Sequence, residues 1–251
     1  MASYYQPRND DERAALLQMS LTAIQYESTQ PGETAGVGRR LLPEETVARL
    51  GSVLTAFAAA RHQKAEAAAV RRNAMHAANQ AAKRLKVEIR SVWQRLRLQV
   101  QNELIPPGML TYYGFLQQAR FPTPRNRQGW FALAETLLAG DERAIAAGHA
   151  ALFNRSELVN LQGEATAAAQ ALQLAEVALH RAQTQLRQQR NVAAQLCRTV
   201  INDLRHALHE DPPAQRRQIM RTYGVPVQAT PGEEAAEVLP LSSAVGAPVY
   251  G

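Results

Sequence analysis

Four titratable side chains at one helix end are the first candidates for chemistry. His206, His209, Glu210 and Asp211 stand just before Pro212-Pro213. Imidazoles three residues apart on a helix can share a metal ion. Histidines near a helix C-terminus also complement the negative end of the dipole, which is the plainer reading. A di-iron bundle would need inward glutamates and Glu-x-x-His motifs, and the chain has no Glu-x-x-His. Glu176 and His180, four apart, suit an ordinary helix-surface pair. Gly36-Val-Gly-Arg-Arg40 is glycine-rich and basic, as phosphate loops are. It lacks the Walker spacing and its Lys-Ser/Thr pair, and it follows no strand, so it reads as a connection. Cys197, the single cysteine, has Arg198 beside it but no histidine within a turn, so an inert, partly buried thiol is expected. No Gly-x-Ser-x-Gly elbow occurs, and Glu44, Glu45 and Glu157 sit where helix starts favour carboxylates. No enzyme activity, cofactor or metal is expected.

The uneven basic charge is the other chemical feature. Arg71, Arg72, Lys83, Arg84, Lys86, Arg90, Arg95 and Arg97 face a single acid in that stretch, Glu88. Such a helix face could neutralise phosphates, with Trp93 available for stacking. The same cations could instead solvate a long helix or pair with acids on a neighbouring subunit.

These residues must be carried by helices. Between Leu158 and Ala207 an apolar seam recurs at alternating steps of three and four, broken only by Gln189 and Asp203. That period predicts a long helix, about 155–209, with a supercoiling partner. Asn154 or Ser156 can cap its start, and Pro212-Pro213 stop it. A second long helix is predicted over 44–104, with Val47, Leu50, Leu54 and Phe57, an alanine-rich middle, then Leu85, Ile89, Val92, Leu96 and Val100 on its core face. Two shorter amphipathic helices, about 10–26 and 127–147, precede the long ones. Residues 226–251 hold four prolines, which forbid a continuous helix. Val238, Leu239, Leu241, Val249 and Tyr250 nonetheless make that tail apolar, and Glu233, Glu234 and Glu237 make it acidic. It reads as an extended arm that docks on an adjacent subunit.

The sequence also reads as an internal duplication. Pro7-Arg8-Asn9 opens one half and Pro124-Arg125-Asn126 the other. Both halves run through a short helix and a long alanine-rich helix to a proline pair. They close on related signatures, Met109-Leu-Thr-Tyr-Tyr-Gly-Phe115 and Ile219-Met-Arg-Thr-Tyr-Gly-Val225. The expected organisation is a first repeat at 1–120, a second at 121–228 and the tail at 229–251. This order of motifs, over most of residues 7–228, resembles a group of uncharacterised bacterial proteins built from tandem alanine-rich helical hairpins. The resemblance implies the hairpin architecture and carries over no activity and no site residue. This chain departs from the pattern in lacking a mid-helix break near Arg61 to Ala69.

Composition agrees with this outline. The 251 residues are 46% hydrophobic, 20% charged and 6% aromatic, with a net charge of +6. So few aromatic and β-branched residues argue against an all-β sandwich. No apolar run reaches the ~18 residues of a membrane span, and the first residues have no signal-like apolar stretch, so a cytoplasmic location is expected. The expected fold is all-α: two long helices in an antiparallel coiled coil, two shorter helices, and an extended C-terminal tail. The expected function is structural, a subunit that self-associates into a homo-oligomer, filament or tube. The alternative is a nucleic-acid-binding coiled coil using the 71–97 face.

Overall fold

The structure is a computed structural model. It describes residues 5–29, 41–115 and 121–227, with side chains 27–29 outside that description. Helix takes up 80% of these residues, and no strand occurs among them. In chain order the elements are α1 (Asp10–Thr29), α2 (Glu44–Gln101), a short 3-10 helix (Pro107–Thr111), α3 (Arg127–Ala146), α4 (Arg155–Ala207) and α5 (Pro213–Thr222). The all-α fold with a long helix pair is as expected. The tail lies beyond Val227, outside the described residues, as does the Gly36–Arg40 connection.

Helix starts follow side-chain chemistry. Asn9 accepts from the Glu12 N–H at 2.8 Å, and the Glu12 carboxylate accepts from the Arg8 N–H at 2.7 Å, a variant of the capping box. Asn126 caps α3 through the Gly129 N–H at 2.8 Å. Asn154, not Ser156, caps α4 through the Glu157 N–H at 3.3 Å. Helix α2 stops three residues before the expected boundary. Glu103 turns into the left-handed region, φ 57°, and the Leu104 N–H closes on Gln99 O at 2.9 Å. Helix α5 was not anticipated: Pro212-Pro213 end α4 but also open a new helix, with Pro213 in the first turn where a missing N–H costs nothing.

The chain forms two compact units, and each draws on both sequence halves. Unit 1 comprises residues 1–62 and 184–251. Its core joins Leu16 and Leu17 of α1, Leu50, Val53 and Phe57 of α2, Leu196, Val200 and Leu204 of α4, and Met220, Tyr223 and Val225 at the end of α5. Unit 2 comprises residues 63–183. Its core joins Leu85, Ile89, Val92 and Leu96 of α2, Trp130, Ala134 and Leu137 of α3, Leu158 and Ala165 of α4, and Met109, Tyr113 and Phe115 after α2. In unit 1 the start of α2 meets the end of α4; in unit 2 the end of α2 meets the start of α4. The long helices therefore pair antiparallel within each unit. Every residue of the seam from Leu158 to Ala207 is buried or half-buried. Asp203 is tolerated there because the Thr46 hydroxyl donates to it at 2.9 Å.

The two Tyr-Gly signatures fold alike. The Phe115 N–H donates to Leu110 O at 2.9 Å and the Val225 N–H to Met220 O at 3.0 Å. Gly114 and Gly224 both take positive φ, 77° and 76°, a conformation that glycine adopts without strain. Each turn packs on a short helix. The Ser20 hydroxyl of α1 donates to Tyr223 O at 3.0 Å. In α3 the backbone approaches so closely that a Cβ on Gly140 would lie 2.5 Å from Tyr112 O.

Candidate functional site: the basic face and the bare helix pair

Three of the eight cations on the 71–97 face hold carboxylates within unit 2. Arg84 meets Glu164 of α4 at 3.2 Å, and Arg71 reaches Glu176 of α4 at 3.5 Å. Arg95 pairs with Glu88 one face along α2. Three more lie over indole rings. The Lys86 ammonium is 5.3 Å and the Arg90 guanidinium 5.5 Å from the centroid of Trp130, while Arg97 is 5.5 Å from that of Trp93. These rings belong to one aromatic group, since Phe121 meets Trp93 at 5.3 Å and Trp130 at 6.0 Å. Trp130 is buried, so its apolar body lies in the core and the cations cover its outer face. Trp93, expected as a stacking platform, is half-buried between Phe121 and Arg97. Arg72 and Lys83 hold no partner among the described residues.

Beside Lys83 a groove of about 590 Å³ opens between α2 and α4 of unit 2. Lys83, Arg84, Val87 and Glu88 border it on one side, Glu157 and Leu161 on the other. Further along unit 2 the helix pair is bare. None of residues 63–77 of α2 is buried, and Ala175 alone is buried within 169–183 of α4. The seam residues Leu172 and Leu179 remain half-buried. Leu174 is 71% exposed, Val70 57% and Val177 44%. Small alanine side chains let the two backbones approach, but they leave the flanking apolar residues without a third helix to cover them.

The histidine cluster is organised by the helix end. His206 and His209 stack at 5.9 Å, His209 Nδ1 lies 2.9 Å from His206 O, and His209 Nε2 lies 3.3 Å from Glu210. Arg216 of α5 donates to His209 O at 2.7 Å and Asp211 O at 3.0 Å, satisfying carbonyls of the turn that joins α4 to α5. Among the described residues no group of three or more His, Cys, Asp or Glu is placed to hold a metal. Cys197 is buried in unit 1, and burial pushes its thiol up to about 11. It is a thiol, not a thiolate, at neutral pH.

Two polar arrangements, one buried and one at the surface, escaped the sequence reading. Asp141 of α3 is fully buried, accepts from the Tyr113 hydroxyl at 3.3 Å, and leaves its other oxygen without a partner. Burial first, then the Asp141 charge and hydrogen bond, push the Tyr113 phenol well above its usual range. The signal was Asp141's spacing, four after Leu137 and three before Ala144, on the face that the structure buries. In unit 1 Arg190 of α4 grips Asp10 of α1 through two nitrogens, at 2.6 to 2.9 Å, and Arg13 joins at 3.1 Å. Partial burial works to raise the Asp10 carboxyl, but the Arg190 bond and charge, with Arg13 and Arg61, outweigh it and hold the group below its usual range.

The tail residues Val238, Leu239, Leu241, Val249 and Tyr250 lie outside the described residues. No helix among the described residues is long and apolar enough to cross a membrane. No protein family, curated protein or solved structure matches the chain, so its functional reading stands on its own geometry.

Proposed function

We propose that this protein is a structural subunit that self-associates through the bare helix pair of unit 2. The observation that carries the reading is the stretch at 63–77 and 169–183, where one alanine is buried and Leu174, Val70 and Val177 stand open. Two helices cannot cover both flanks of an apolar seam; four can, and a second copy supplies the missing two. An internal duplication fits this reading, since a chain of repeated hairpins has a long repeated surface for its mass. The basic face favours nucleic acid less, because six of its eight cations already serve ion pairs or indole rings.

Light scattering at low and high salt tests the reading. An apolar interface keeps its mass as salt rises, whereas phosphate binding weakens steeply. The double variant Leu174→Asp, Val177→Asp is expected to give monomers with wild-type helicity. A wild-type protein that is monomeric at every salt, or a double variant that associates fully, overturns the proposal.

A further inference from the structure

We infer that five cations on one side of α2 form a ladder that takes the phosphate backbone of a nucleic-acid duplex without reading its sequence. This goes beyond the self-association reading. At about 100° per residue, Arg72, Lys86, Arg90 and Arg97 all fall within about 60° of Lys83, whereas Arg71, Arg84 and Arg95 stand about 100° or more away. The ion pairs divide in the same way. Arg71, Arg84 and Arg95 are the three that hold carboxylates. The five on the ladder hold none among the described residues. Glu88, the one acid between Arg72 and Arg97, sits about 140° round the helix from Lys83. Arg72, Lys83, Arg90 and Arg97 are exposed, and Lys86 is half-buried. The indole contacts of Lys86, Arg90 and Arg97 do not cancel their charge. A ring attracts a cation through its quadrupole but carries no net charge. It also holds the side chain in place, so less rotamer freedom is lost when an anion arrives.

The chemistry of this face selects its occupant. From Arg72 to Arg97 the ladder runs ~38 Å with no carboxylate on it. Its exposed apolar side chains, Val87 and Leu98, stand ~17 Å apart along the helix. That separation denies a protein partner the continuous apolar centre of an interface and gives a lipid surface no apolar face to bury. A polyanion needs only the charge. Single strands are held by stacking their bases on aromatic platforms. Here Trp130 is buried, and Trp93 lies between Phe121 and Arg97. A duplex presents its phosphates outward, and the ladder is longer than the ~12 Å width of a major groove, so it reaches phosphates on both rims. Val70, which the helix-pair interface uses, lies about 140° from Lys83, so the two surfaces are distinct on α2.

Fluorescence anisotropy of the full chain with a mixed-sequence DNA duplex of ~20 bp, two helical turns, tests this. Between about 50 and 200 mM salt, log Kd is expected to rise with log salt at a slope of about 4, near 0.9 for each phosphate neutralised. Arg90→Gln with Arg97→Gln is expected to lower that slope by about 2 and the affinity by at least about tenfold. Arg71→Gln with Arg84→Gln removes the same charge away from the ladder and is expected to change the affinity by less than about threefold. Circular dichroism checks that both double variants keep their helix content. No binding at about 50 mM salt, or equal losses from the two pairs, overturns the inference. Tighter binding of the matching single strand overturns the assignment to a duplex. Displacement of the duplex by polyglutamate at equal charge concentration overturns nucleic acid as the occupant in favour of an acidic protein segment.

Discussion

In unit 1 the short helix α1 is fastened by charge, whereas in unit 2 the short helix α3 is fastened by aromatic rings. Asp10 and Asp11 at the start of α1 reach Arg190 of α4 and Arg61 of α2. On α3 the comparable fastening is Trp130, buried against Phe121 and roofed by Lys86 and Arg90 of α2. The layout is otherwise alike: a short helix, two antiparallel long-helix segments and a Tyr-Gly turn with the same closing hydrogen bonds. Two different chemistries serve one arrangement because the apolar faces set where the helices lie, and the fastenings only trim them. The magnitudes agree. An exposed ion pair is worth at most about 1 kcal/mol, while burying a large aromatic is worth about 3 kcal/mol or more. The comparison also changes the meaning of the basic stretch at 71–97. Part of its charge serves to roof the Trp130 and Trp93 rings.

The largest expected effect comes from emptying each core in turn. Phe57→Ala in unit 1 and Trp130→Ala in unit 2 each remove a buried aromatic and should cost about 3–5 kcal/mol. Hydrogen-exchange mass spectrometry is expected to show lost protection within the unit that holds the substitution. Loss spread evenly over both would break the division into units.

A smaller effect separates the two fastenings. Asp10 has a folded pKa below its unfolded value. Its contribution is fully present above the unfolded value, near pH 4, and is lost as pH falls through the folded one. Asp10→Asn should therefore lower Tm at pH 7 by the equivalent of about 1 kcal/mol, with the difference closing below pH 4. Added salt should reduce the same difference. A Tm gap unchanged between pH 7 and pH 2 would mean that α1 is held by packing alone.

The smallest effect sharpens the account of the basic stretch. Arg90→Gln removes a cation from the Trp130 ring and should cost about 0.5–1 kcal/mol, whereas Lys83→Gln should fall within about 0.5 kcal/mol of zero. Thermal melts side by side measure this. Equal losses would show that the roofing cations contribute no more than solvated ones.

Much of the fold was legible because helix periodicity is a local property. The positions from Leu158 to Ala207 could be read as one face by counting threes and fours, and they line one face in the structure. Cys197, one step off that seam, could be read as buried for the same reason. The short helices were legible in extent but less so in register. Ile145, an apolar residue within the expected amphipathic helix 127–147, is 45% exposed, and α3 turns Ala134, Asp141 and Ala144 inward instead. The reason is the close approach of α3 at Gly140 to the Tyr112 carbonyl, a contact between segments far apart in sequence.

The amino-acid sequence by itself determined the all-α class, the two long helices, an Asn154 or Ser156 cap and a Pro212-Pro213 stop for the second of them, and the kinship of the two Tyr-Gly signatures. Each of these depends on backbone and side-chain preferences acting within a turn or two. The tertiary structure alone decided that each compact unit takes segments from both halves of the chain. It likewise placed Lys86 and Arg90 over an indole from another helix and buried Asp141 against Tyr113. Such contacts are energies between residues tens or more positions apart. No local pattern encodes which distant side chain will arrive, so they exist only once the helices have packed.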